Sequence, residues 1–178
     1  LMDANCLAMP GAHNRQNLLL AVAAGLEAGL SGAQMERALR AFPGVPHRLE
    51  RLPERQGITF YNDSKATNYD AAEVALKALT GPLVVLAGGQ SKQGNPGSWL
   101  AALGEKAAAV VLFGAAQEAF KALLEQAHYG GQIHTVAGLP EAVPLAHALA
   151  GRLGCRAVLL SPACASFDQY DNFEKRGE

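Results

Sequence analysis

Ile58-Thr59-Phe60-Tyr61-Asn62-Asp63-Ser64-Lys65-Ala66-Thr67-Asn68 passes from a short apolar run into seven polar or small residues, and a helical pattern from Asp70 to Leu79 follows. Strand, polar junction and helix in that order put the junction at the carboxyl end of a strand, where open α/β sheets bind ligands. A plain turn needs only one or two residues of this kind. Here an acid, two hydroxyls, a cation and two amides stand side by side, a set able to grip a ribose, a phosphate and an amino acid together.

Working outward, Leu83 to Ala87 is a continuous apolar run, as in a strand buried on both faces. A glycine-rich loop, Gly88 to Gly97, carries Ser91, Lys92 and Asn95. Strand patterns at Ala108–Phe113, Ile133–Val136 and Ala157–Ser161 then alternate with helical ones near Trp99–Leu103, Gln117–Gln126 and Pro140–Leu153. That alternation predicts an α/β, Rossmann-like, mostly parallel sheet with helices on both faces. Upstream, Leu49–Leu52 and Ile58–Tyr61 read as two short strands joined by a polar turn at Gly57. Asp70-Ala71-Ala72-Glu73 has capping-box spacing with Asp70 as cap, and Ser31-Gly32-Ala33-Gln34 has the same spacing with Ser31.

Residues 1–12 read as loop. A helix from Asn14 to about Ala28 sets Leu18, Ala21, Val22 and Leu26 on one face, and a second carries Met35, Ala38, Leu39 and Phe42. Pro43-Gly44-Val45-Pro46 stops it. The expected division is therefore a helical segment, residues 1–43, and a main domain, residues 44–178.

Composition narrows the function. Over 178 residues the net charge is −1 and aromatics are 6%, which argues against a nucleic-acid or membrane-surface partner. No apolar run approaches the roughly 18 residues of a membrane span, and no signal-peptide pattern is present. Cys6, Cys155 and Cys164 are odd in number and form no CxxC, which fits a reduced, cytoplasmic setting. The first residue is Leu1 and the last, Glu178, closely follows the start of a helical pattern, so a piece of a longer protein is expected.

Each remaining polar cluster admits two readings. Ser161-Pro162-Ala163-Cys164-Ala165-Ser166-Phe167-Asp168 leads from the last strand toward a helical stretch holding Tyr170 and Phe173. It is either an anion cradle at a helix start or a tight turn capped by Ser166 or Asp168. Because the loops at 62–68, 88–97 and 161–168 all follow strands of one parallel sheet, they share an edge, which favours the ligand reading. Lys92 is a carboxylate-binding cation or a solvated lysine. Cys164 is a nucleophile or, more in keeping with its small neighbours, a buried core residue. Asn14 and Asn17, three apart on one helix face, suit a purine edge, or Asn14 caps the helix. The histidines show no metal-ligand spacing, and no Gly-Lys dipeptide of a phosphate loop occurs.

Taken together these segments resemble the Mur ligase family, the ATP-dependent amide-forming ligases of peptidoglycan synthesis. Gly11-Ala12-His13-Asn14-Arg15-Gln16-Asn17 looks like the family's HNxxN segment near the end of its central ATPase domain. Pro46-His47-Arg48-Leu49-Glu50 looks like the linker that starts the C-terminal domain. Asn62 to Asn68, Ser161 to Asp168 and Asn172-Phe173-Glu174-Lys175-Arg176-Gly177 look most like the branch that adds D-glutamate.

The resemblance implies an acyl-phosphate mechanism with ATP and Mg2+ as cofactors, and D-glutamate and UDP-N-acetylmuramoyl-L-alanine as substrates. It implies that Asn14 and Asn17 hold adenine and that Asp63 holds the ribose. Arg48 and Lys65 would serve the phosphates as the catalytic cations, and Thr67, Lys92, Ser166 and the Phe173 backbone would hold D-glutamate. It further implies that residues 1–43 are the tail of the ATPase domain, and that the phosphate loop, the magnesium ligands and the uridine-nucleotide domain lie elsewhere in the parent. This chain would hold no metal and be inactive alone. A folylpolyglutamate-type ligase, a non-catalytic amino-acid or nucleotide-binding module and a Cys164-dependent hydrolase are the rival readings.

Overall fold

The computed structural model describes residues 6–7 and 9–178. The loop reading of residues 1–12 falls partly on residues 1–5 and 8, which lie outside the described residues. The chain divides into two compact units, Leu1–Val45 and Pro46–Glu178.

The first unit carries α1 (Ala12–Glu27) and α2 (Gly32–Ala41). The Ser31 capping box forms as the sequence predicts: Ser31 Oγ accepts from Gln34 N, and Gln34 Oε1 accepts from Ser31 N at 2.8 Å. The apolar stripe expected on α1 does not become a buried face. Of its residues only Leu18 is buried, whereas Leu26 is 57% exposed. Instead Asn14, Leu18 and Gly25 point inward. The bare Cα of Gly25 is what lets Met35 of α2 lie close, since a Cβ there would sit 2.5 Å from the Met35 sulfur.

In the second unit a six-stranded sheet runs in the order β1-β2-β6-β3-β4-β5. Its strands are β1 (Glu50–Arg51), β2 (Thr59–Asn62), β3 (Leu83–Gly88), β4 (Ala107–Phe113), β5 (Gln132–Val136) and β6 (Ala157–Leu160). Only β1 is antiparallel, pairing with β2. The turn that leads into β2 is a two-residue loop, Gln56-Gly57, both with positive φ, the geometry that suits the right-handed twist of a hairpin.

Strand pleating sends alternate residues to opposite faces, and β3 shows why its sequence is apolar without interruption. Leu83, Val85 and Ala87 join α3 (Tyr69–Ala78), α4 (Gly97–Lys106) and α5 (Gln117–Gln126) in one core with Trp99 and Phe120. Val84 and Leu86 join α6 (Leu139–Leu153) in a second core with Phe113 and Leu149. Each such large side chain, fully buried, contributes roughly 1.5–3 kcal/mol. The expected Rossmann-like architecture with helices on both faces is the one observed.

Two local readings are corrected. Helix α3 begins one residue earlier than the pattern suggests, and its cap is Asn68, whose Oδ1 accepts from Ala71 N at 2.9 Å. Asp70 lies in the first turn, and Glu73 pairs with Lys77 along the helix rather than folding back to a cap. The second concerns the stretch after Asp168. Tyr170 lies in turns, and the helix α7 spans only Phe173–Gly177, capped by Asn172. Loop 161–168 therefore has no helix start behind it.

Candidate functional site

Strand order places β6 between β2 and β3, and all three run parallel, so the loops after these strands emerge side by side. They are cross-linked through backbone. Gly88 N donates to the Pro162 carbonyl at 2.9 Å, and Gln90 and Ala165 exchange two hydrogen bonds of 2.9 Å. Gly88 and Gly89 have φ of 140° and 122°; a Cβ on Gly88 would lie 1.9 Å from the Phe113 carbonyl oxygen. Only glycine permits that approach. Asp168 fastens the third loop to the next one along the edge, accepting from Ala115 N at 2.9 Å.

Asp63 sits at the root of the first loop, 6% exposed. Its Oδ1 accepts from Leu49 N at 3.0 Å and its Oδ2 from Ser161 Oγ at 3.1 Å. Burial pushes the carboxyl up to about 6, against the pull of those two hydrogen bonds and of the Arg48 charge. The acid thus ties the linker at residues 47–49, the first loop and the third together. Each of its oxygens keeps a further lone pair.

Cations stand on the linker and on the first two loops. Arg48 is exposed and close enough for its charge to act on Asp63. Lys65 is also exposed, its Nζ 4.6 Å from the centre of the Phe173 ring, and its backbone N–H donates to the His47 carbonyl at 3.0 Å. Asn62 Nδ2 lies 3.0 Å from both His47 Nδ1 and the Gly177 carbonyl oxygen, so it gives one hydrogen to each and sets His47 Nδ1 as acceptor. Thr67 is half-buried one turn on. Lys92 is exposed on the second loop, and its charge is felt by the Cys164 thiol of the third. Ser166 is buried, its carbonyl accepting from Gln169 N and Tyr170 N.

Arg48, Asp63, Lys65, Thr67, Lys92, Ser166 and Phe173 thus all belong to one sheet edge of the second unit. Asn14 and Asn17 belong to α1 of the first unit: Asn14 is buried and donates to the Pro10 carbonyl at 2.7 Å, while Asn17 is exposed. Asn14 is not the cap of α1, which starts after Gly11. Among the described residues no cluster of three or more His, Cys, Asp or Glu could hold a metal ion, and no helix is long and apolar enough to cross a membrane.

Cys164 is fully buried, and burial pushes its thiol up to about 12. A thiolate nucleophile needs the opposite, an exposed and electropositive setting. The geometry is against a Cys164-dependent hydrolase.

One residue escaped the sequence reading as a functional candidate. Arg176 on α7 is 3% exposed, and burial draws its guanidinium down to about 10. Its Nε donates to Ser64 Oγ at 3.0 Å, its Nη2 to the Ser64 carbonyl at 2.7 Å and its Nη1 to the Cys164 carbonyl at 2.9 Å. Ser64 Oγ in turn donates to the Phe173 carbonyl at 2.7 Å. The sequence signal was slight, an arginine beside a lysine in a short polar helix.

The chain is similar to known proteins. Residues 47–164 match the family described as Mur ligase, glutamate ligase domain. A UDP-N-acetylmuramoylalanine–D-glutamate ligase of Synechococcus sp. (strain CC9902) is 56% identical over 178 residues, covering all of this chain and 38% of the relative. A ligase of the same name from Synechococcus sp. (strain CC9605) is 57% identical, again over the whole chain and 39% of its own length. The chain thus spans well under half the length of these curated relatives. Among solved structures, a Mycobacterium tuberculosis folylpolyglutamate synthase complexed with ADP and AMPPCP superposes with a TM-score of 0.69 at 22% identity, covering 89% of this chain and 39% of that one. At that identity the likeness speaks for the fold alone.

Proposed function

This chain belongs to the Mur ligase family, and we propose that it supplies the amino-acid-binding part of an ATP-dependent ligase that joins D-glutamate to UDP-N-acetylmuramoyl-L-alanine. The observation that carries the reading is the cross-bonded edge formed by the loops after β2, β3 and β6, which gathers Arg48, Asp63, Lys65, Thr67, Lys92, Ser166 and Phe173. The relatives that share more than half of its residues carry the D-glutamate name, whereas the folylpolyglutamate likeness is one of fold.

In the proposed reaction the γ-phosphoryl group of ATP passes to the L-alanine carboxylate, giving an acyl phosphate and ADP. The D-glutamate amine attacks the acyl carbon and gives up a proton, and the tetrahedral intermediate expels phosphate to leave an amide. Little of this needs acid–base catalysis by the protein; charge neutralisation and positioning dominate. Arg48 and Lys65, both exposed cations, are assigned to the ATP phosphates. Asp63 is assigned to the ribose through the lone pairs its internal hydrogen bonds leave free. Lys92 and the Ser166 and Thr67 hydroxyls are assigned to the two carboxylates of D-glutamate, with the Phe173 backbone. Residues 1–43, with Asn14 and Asn17, are assigned to the end of a central ATPase domain whose other parts supply the phosphate loop and the Mg2+ ligands. A cytoplasmic setting follows from the nucleotide substrates.

Phosphate release by the longer protein that carries this chain tests the proposal, with ATP, magnesium and the UDP-muramoyl-L-alanine precursor present. Release that requires D-glutamate and not L-glutamate is the expected result. Release driven equally by L-glutamate, or by no amino acid, would contradict it.

A further inference from the structure

We infer that Arg176 is a positioning residue for ligation, a clamp that locks the loop after β2 to the loop after β6 so that nucleotide and amino-acid ligands meet in register. The inference rests on the function proposed above and goes beyond it by assigning a role to a side chain that touches neither ligand.

Three loops converge on this one guanidinium. The loop after β2 is held twice through Ser64, by its hydroxyl and its carbonyl. The loop after β6 is held through the Cys164 carbonyl. The loop after β3 is fitted around it: a Cβ on Gly89 would lie 2.4 Å from the Ala165 carbonyl oxygen and 3.1 Å from Arg176 Nη1. Ser64 relays the contact onward to the Phe173 carbonyl, so the backbone assigned to D-glutamate is fixed by the same network. Asp63 and Lys65 flank Ser64 on the proposed nucleotide side, while Ala165 and Ser166 follow Cys164 on the proposed amino-acid side.

Stability alone does not account for the arrangement. No salt bridge to Arg176 forms among the described residues; its guanidinium donates to a hydroxyl and two carbonyls. The Asp168 charge acts on it without a direct pair, and a buried cation that no acid touches is costlier than an apolar side chain of equal volume. What the guanidinium adds is direction, since its planar fork reaches several acceptors on different segments at fixed angles.

The test uses Arg176→Ala and Arg176→Lys in the longer protein that carries this chain. With Arg176→Ala, the KM for D-glutamate rises and kcat falls, lowering kcat/KM by about tenfold or more, while the KM for the UDP-muramoyl precursor is unchanged. Added guanidinium ion restores part of the lost rate. Arg176→Lys stays impaired, because one ammonium cannot span all three acceptors. A fall in activity that tracks only the folded fraction, with every KM unchanged and no rescue, would overturn the inference. If the unaltered protein ligates no amino acid, the functional reading fails, and amide exchange in the chain itself then judges the clamp. Arg176→Ala should speed exchange at Lys65, Ala66 and Ala165 together, and unchanged protection at all three would remove the clamp as well.

Discussion

Asp63 shows how one side chain is drawn two ways. Desolvation favours its neutral form, while Leu49 N–H, Ser161 Oγ–H and Arg48 favour the ion. Burial prevails, raising the carboxyl from 3.8 to about 6. A raised pKa means that the folded protein holds the proton more tightly than the unfolded chain. The resulting stabilisation is complete below about pH 4 and is lost as pH rises through 6, by an amount on the order of 3 kcal/mol. Denaturant midpoints of the unaltered protein and Asp63→Asn, measured from pH 4 to 7.5, should therefore shift relative to each other in favour of the variant as pH rises. Parallel profiles would show that the carboxyl is not raised. Lys92 poses the simpler case of an exposed cation with an assigned carboxylate partner. Lys92→Ala in the longer protein should raise the KM for D-glutamate by about tenfold or more and leave that for ATP within about twofold; an unchanged D-glutamate KM would refute the assignment.

At the scale of the element, the strands and most helices were legible because their apolar spacing reflects burial on one or two faces. The boundary of α3 was less so. Asn68 and Asp70 are both good caps two residues apart, and the choice depends on which backbone leaves the extended region first; Asn68 does, with φ −153° and ψ 170°. Removing that cap by Asn68→Ala should cost about 1 kcal/mol in thermal or denaturant unfolding. The same change at Asp70, inside the first turn, should cost less, and a reversed order would restore the original assignment. The helical stretch expected after Asp168 to hold both Tyr170 and Phe173 begins only at Phe173. The backbone between Asp168 and Asn172 is in fact non-helical, with the Ser166 carbonyl accepting two amides and Asp168 reaching the next loop, and only Phe173 of the pair lies in a helix. Arg176 was hidden for a different reason. Its partner Ser64 lies 112 residues away, and no periodicity reports a contact made across that distance.

At the scale of the second unit, the order β1-β2-β6-β3-β4-β5 does the functional sorting. It inserts the last parallel strand between two earlier ones and so brings three polar loops, separated in sequence, to one edge. The parallel sheet and the shared edge were readable from the alternation of strand and helix; which strands were neighbours was not, because pairing order leaves no local trace. The claim that matters most is that this edge is where D-glutamate and nucleotide meet. Hydrogen exchange of the longer protein, with and without D-glutamate, precursor and a non-hydrolysable ATP analogue, tests it most directly. Protection concentrated at residues 62–68, 88–97 and 161–173 is the predicted result. Protection within the second unit that avoids these loops, while ligand is demonstrably bound, would contradict the account.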